Sequence, residues 1–143
     1  MEIVAGVVVA LVIVIVAVTL IGRALPVAHV ASRTVTFRRP PQELWAAVTD
    51  PDLMRSRGVG DVKFETVESV PRRRLVTRVV GEKSFGGTWT CEIAPAGEGS
   101  TLTITENGEI YNGFFRFLSK YVMGHHRTID GTMAALRKRF GEI

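Results

Sequence analysis

Chemistry in this chain has few candidate carriers. Its three histidines include an adjacent pair, His125 and His126; neighbouring residues on a helix project about 100° apart, so these two cannot chelate one ion. No wider metal-ligand spacing, no Ser/His/Asp or Cys/His arrangement and no glycine-rich phosphate loop can be assembled. No catalytic residue, metal site or cofactor is therefore expected, and no acid–base pair stands out. The chain instead carries large apolar and aromatic side chains at regular spacing. Phe85, Trp89, Cys91, Leu102, Ile104, Tyr111, Phe117, Tyr121 and Met133 are candidates for the lining of an apolar pocket, and His125 can place a polar tip in it, bonding a ligand carbonyl. The competing reading is plain core packing, and for His125 a core histidine satisfied by backbone.

These residues need elements to position them, and the C-terminal stretch 112–140 supplies the first. Leu118, Val122, His125, Ile129, Met133, Leu136 and Phe140 recur at steps of three and four, which predicts one amphipathic helix about 40 Å long with one buried face. Asn112 is the expected N-cap, Lys and Arg fill the last turn, and Gly141 stops the helix. Gly124 and Gly131 inside it each cost about 1 kcal/mol relative to Ala, which points to a close approach or a bend around contents. Such a helix is matched to lying across a curved sheet, which must precede it.

The sheet is legible in the period. A first strand is expected over 28–38, then a short helix over 41–48 with Pro41 in its first turn and Leu44, Trp45 and Val48 as its apolar stripe, then a second short helix over 52–57. After Gly58 and Gly60, four strands are expected over 62–70, 74–80, 88–94 and 101–110. Trp89, Cys91 and Ile93 alternate with Thr88, Thr90 and Glu92, and Leu102 and Ile104 alternate with threonines, so one face is core and the other wet. Short connections favour antiparallel hairpins, and the fold class is α+β.

The N-terminus is of another kind. Residues 3–21 carry no charge and are almost all Val, Ile, Leu and Ala; as a helix they would reach about 28 Å, close to the hydrocarbon thickness of a bilayer. A cleaved signal peptide would want a basic leader, whereas only Met1 and Glu2 precede the run. The chain is accordingly divided into a transmembrane anchor (1–22), a linker stiffened by Pro26 (23–27) and a folded domain (28–143). Gly6, Ala10 and Ala17 fall near one face of the anchor, where a partner helix could approach.

Arg23, Arg33, Arg38 and Arg39 follow the span and nothing basic precedes it. The expected location is therefore the cell membrane, single-pass, with the C-terminal domain cytoplasmic. A lone Cys91 agrees with a reducing compartment. Eighteen Lys and Arg against fourteen Asp and Glu give a net charge of +4, which suits an anionic membrane surface; nothing resembles a nucleic-acid-binding motif. The run Arg72 to Arg74, with Arg55, Arg57 and Arg78, reads as a solvated turn or as a contact for anionic lipid.

Several strings in this order resemble a known family. PPQELWAAVTDPD (40–52), VESVPRRRLVTRV (67–79), FGGTWTCEIAPAGEGSTLTITENGEIYN (85–112) and FFRFLSKYVMGHHRTID (114–130) are similar to the START-like, or SRPBCC, superfamily, and most to its polyketide cyclase/dehydrase-like members. The resemblance implies a helix-grip fold: a curved antiparallel sheet around the C-terminal helix, with a cavity for a lipid, quinone, sterol, polyketide or other hydrophobic molecule. The family usually has two further strands where this chain offers only 56–61. About five strands should remain, ordered first, fifth, fourth, third, second. The second becomes an exposed edge, where Phe64 and Val67 leave room for a partner chain.

Three functions follow as expectations. The first is a module binding or presenting a hydrophobic small molecule or lipid at the membrane surface. The second is an accessory subunit of a larger membrane complex, docking through its transmembrane helix and open sheet edge. A cyclase- or dehydrase-type enzyme is the third.

Overall fold

The computed structural model describes residues 1–55 and 61–142. The expected end of the second small helix, with Arg57, Gly58 and Gly60, lies outside them. A long apolar helix, α1 (Glu2–Ala24), leads into β1 (Ala28–Phe37), two short helices, α2 (Pro41–Val48) and α3 (Pro51–Arg55), and four strands: β2 (Lys63–Val70), β3 (Arg74–Val80), β4 (Phe85–Ala96) and β5 (Gly99–Ile110). The chain ends in α4 (Gly113–Leu118), a π-helical turn over Ser119–Met123, and α5 (Arg127–Phe140). The fold is α+β.

All five strands form one antiparallel sheet in the order β1-β5-β4-β3-β2, as the shortened pattern requires. The sheet is open, with β1 and β2 as its edges. β4 and β5 are longer than their alternating cores because the ladder continues through Phe85↔Ile110 and Ala96↔Gly99. In β2 the register slips at Val67, between Thr66 and Glu68, a bulge that twists a free edge away from regular pairing.

The expected single helix over 112–140 is the main correction. Its ends are as read: the Asn112 side chain accepts from the Phe115 amide at 3.3 Å, and Gly141 closes α5 in the left-handed region. Its middle is broken. The π-helical turn inserts a residue into the repeat, and Gly124 follows with φ 78° and ψ 146°, a conformation that only glycine adopts without strain. The apolar stripe therefore splits: Val122 is 68% exposed, while Ile129, Met133 and Leu136 are buried in α5.

The core occupies one half of the concave face. Ile129, Thr132, Met133 and Leu136 of α5 are buried over the sheet, and Leu44, Ala47 and Val48 of α2 join them. Phe37, Cys91, Ile93, Leu102 and Ile104 supply the strand side. Each such side chain removed from water is worth about 1.5–3 kcal/mol, so α5 is held mainly by this half. Arg33 of β1 pairs with Asp130 at 2.9 Å and Arg139 with Asp50 at 2.7 Å, fixing its azimuth.

α1 is 23 residues long and exposed along almost all its length. Only its last turns touch the domain. Gly22 and Gly113 meet backbone to backbone: a Cβ on Gly22 would strike the Gly113 carbonyl, and one on Gly113 would lie 2.9 Å from the Thr19 carbonyl oxygen. Arg116 of α4 then reaches the end of α1. Its Nη1 donates to the carbonyls of Gly22 at 3.3 Å and Leu25 at 2.9 Å, at the end of α1 where carbonyls run out of helical partners.

Candidate functional site

Along β5, β4 and β1 the inward face changes character at a common level. In β5 it runs Leu102, Ile104, Glu106, Gly108, Ile110; in β4 it runs Ile93, Cys91, Trp89, Gly87, Phe85; in β1 it runs Phe37, Val35, Arg33, Ala31, His29. The first members belong to the core. The last members line a cavity of about 770 Å³ between the sheet and the interrupted C-terminal helix. Large side chains give way there to glycines and to a charge, so α5 is not met by a packed surface.

The cavity wall is apolar in Phe64, Val79, Phe85, Trp89, Ile110, Phe115 and Met123, and Gly124 and Gly131 contribute backbone. Its polar end is a cluster. His29 Nε2 lies 2.9 Å from Glu106 Oε1; a carboxylate only accepts, so this nitrogen carries the hydrogen. The His29 ring faces the His125 ring with centroids 4.0 Å apart. His125 Nδ1 is in turn 3.4 Å from Ser119 Oγ.

Gly108, the cross-strand partner of His29, makes this possible, because a Cβ there would collide with the His29 ring and stand 3.0 Å from Glu106 Oε1. Burial lowers the pKa of His125 from its ordinary 6.5, the neighbouring His29 lowers it further, and Glu106 opposes the shift. His125 is a neutral hydrogen-bonding group at the cavity wall under ordinary conditions.

Of the residues singled out in the sequence, Phe85, Trp89 and His125 are brought together on the cavity wall. Cys91, Leu102, Ile104 and Met133 are instead sealed in the core, at the level where the sheet and α5 are in contact. Tyr111, Phe117 and Tyr121 do not line the cavity: Tyr111 and Tyr121 are 46% and 57% exposed, and Phe117 packs against Tyr121. Tyr111 precedes the N-cap of α4 and donates its hydroxyl to Glu109 Oε2 at 2.7 Å, while Tyr121 lies in the π-helical turn. Of the edge pair, Phe64 faces inward into the cavity and Val67 is exposed at the bulge.

His29, Glu106 and Gly108 were not singled out. The signal for Glu106 and Gly108 was present: extending the Leu102, Ile104 alternation by two steps puts a carboxylate and a glycine on the inward face. Among the described residues, no group of three or more His, Cys, Asp or Glu is arranged to hold a metal ion. The expected contact of the arginine run with lipid also meets competing partners, since Arg74 pairs with Glu68 and Glu92, Arg78 with Glu65 and Arg55 with Asp52.

A concave antiparallel sheet, holding a cavity beneath a C-terminal helix, defines a helix-grip protein. Solved structures share this fold. Mll3558 of Rhizobium loti is 20% identical with a TM-score of 0.56, covering 81% of this chain and 97% of its own. CalU16 of Micromonospora echinospora is 17% identical with a TM-score of 0.56, over 83% and 84%. MLL2253 of Mesorhizobium loti is 15% identical with the same score, over 77% and 98%. No protein-family model and no curated protein sequence matches the chain.

Proposed function

We propose that this chain is a membrane-anchored helix-grip module, of the START-like (SRPBCC) kind that its sequence resembles, which binds a hydrophobic small molecule or lipid bearing an uncharged, hydrogen-bonding head. The cavity carries this reading. About 770 Å³ lies within the range of small-molecule sites, and its walls join the apolar side chains to the His29, Glu106 and His125 cluster and to Ser84, Thr88, Glu109, Arg127 and Thr128. Glu106 and Glu109 disfavour an anionic head, against the Arg127 guanidinium on the same wall. Glu106 accepts from a hydroxyl or amide, and neutral His125 can donate to or accept from the same group.

Anchoring rests on α1, long and apolar enough to cross a membrane. Its 23 residues reach about 34 Å. In this reading residues 1–22 are the anchor, 23–27 the linker and 28–143 the domain. The basic residues after the span support a cytoplasmic domain by the positive-inside rule.

The test is displacement of an apolar environment-sensitive fluorophore from the full-length protein in mild detergent. Saturable binding that Glu106→Gln weakens, with the fold retained by circular dichroism, supports the reading. Binding that is absent, or indifferent to every residue of the cavity wall, overturns it.

Two other readings each have one observation in their favour. The His29 and Glu106 pair supplies an acid–base couple inside a ligand-sized cavity, which favours a cyclase- or dehydrase-type enzyme. The free β2 edge, with Val67 52% exposed, favours docking in a larger membrane complex.

A further inference from the structure

The segment from α4 to Gly124 is the least protein-like surface of the folded domain. Phe115, Tyr121, Val122 and Met123 are each 46% exposed or more, on consecutive turns of one element. A soluble face this apolar needs a partner. Phe115 and Met123 are also part of the cavity wall, so the exposed patch is continuous with the lip of the cavity.

Three observations say what covers it. The first is depth. α4 packs against Thr19, Gly22 and Arg23, the last turns of the apolar helix, so if α1 spans a bilayer, α4 lies where hydrocarbon gives way to headgroups. The second is charge. The sequence holds no Asp or Glu between Glu109 and Asp130, while Arg116, Lys120 and Arg127 fall in that interval. Among the described residues no carboxylate pairs with Lys120 or Arg127, whereas Arg74 and Arg78 of β3 are matched to acids. The third is composition: a tyrosine at the interface level, with phenylalanines on the apolar side and lysine and arginine on the polar side, is the make-up of a helix lying in the membrane–water interface, where long cationic side chains reach up to phosphate.

We propose that α4, the π-helical turn and Gly124 lie in the headgroup layer of an anionic bilayer, so that the cavity opens onto lipid rather than water. This rests on the anchoring of α1 and deepens it: the domain docks by an interfacial helix as well as by its tether. A bound molecule then enters between Phe115 and Met123 without crossing solvent.

Site-directed spin labelling of the full-length protein tests it, in vesicles of phosphatidylcholine and phosphatidylglycerol. Cys91 is buried and should not react, so Val122→Cys and, as reference, Val12→Cys are each labelled in an otherwise unchanged chain. Collisions with oxygen and with a water-soluble nickel chelate are compared, and circular dichroism checks each fold. The proposal expects Val12 in hydrocarbon and Val122 at headgroup depth, several-fold less accessible to nickel than a label at exposed Val67→Cys. Val12 in lipid with Val122 as nickel-accessible as Val67 overturns this inference and leaves the anchor intact. A water-exposed Val12 overturns the anchor and the inference together.

Discussion

His29 Nε2 stands 2.9 Å from Glu106 Oε1 across adjacent strands, with the ring lying over the bare Cα of Gly108. An ionisable pair is thereby held on the wall of the cavity. Occupancy of that cavity should depend on a residue with no side chain. Gly108→Ala drives the His29 ring off its site while the backbone remains free to form β-structure, so ligand affinity is expected to fall about tenfold, or about 1.4 kcal/mol. Fluorophore titration reads the loss, and unchanged far-ultraviolet circular dichroism separates it from unfolding.

The His125 shift fixes the sign of a pH dependence. Its native pKa is below the unfolded value of 6.5, so in the window between the two the unfolded chain binds the proton and the folded chain does not. Stability is lost as pH falls from about 6.5 to the lowered native value, and this contribution is constant above about 6.5. His125→Gln should flatten this part of the denaturation-midpoint profile, measured by urea titration at a series of pH values.

The two glycines of the C-terminal region should respond oppositely to alanine. Gly124 has φ 78°, so Gly124→Ala is expected to destabilise by about 1–3 kcal/mol. Gly131 sits in the regular part of α5 with nothing within 4 Å of a built Cβ, so Gly131→Ala should stabilise by about 1 kcal/mol. Thermal denaturation of the two variants side by side checks both signs.

Arg116 closes the end of α1 with hydrogen bonds to Gly22 and Leu25. Arg116→Met keeps much of the packing and removes the donors, which should cost about 1–3 kcal/mol locally. Faster amide exchange and proteolysis around Leu25 to Val27, with the core of α5 still protected, is the expected outcome.

The sheet was legible because strand period is local: alternation from Trp89 to Ile93 and from Thr101 to Thr105 assigns faces without knowledge of the partner strand. The sheet order followed from short connections and from the two strands missing relative to the resembling family. The helix break was not legible, because glycine at 124 costs about 1 kcal/mol if helical, and that cost alone does not say whether the chain accepts it or turns. The cavity was half legible. Phe85, Trp89 and His125 are on its wall, but whether Cys91 or Glu106 lies under open space depends on where α5 leaves the sheet, which is a tertiary fact. His29 and Gly108 meet only across the β1 and β5 ladder, and no spacing along the chain announces that.

The central claim is that the cavity holds a hydrophobic molecule with a hydrogen-bonding head. Native mass spectrometry of the full-length protein, released from its own host's membranes in mild detergent, tests it most directly. The account predicts a stoichiometric adduct of a few hundred daltons that is depleted in Glu106→Gln. A protein of bare mass in both forms, alone or within a larger assembly, would contradict it.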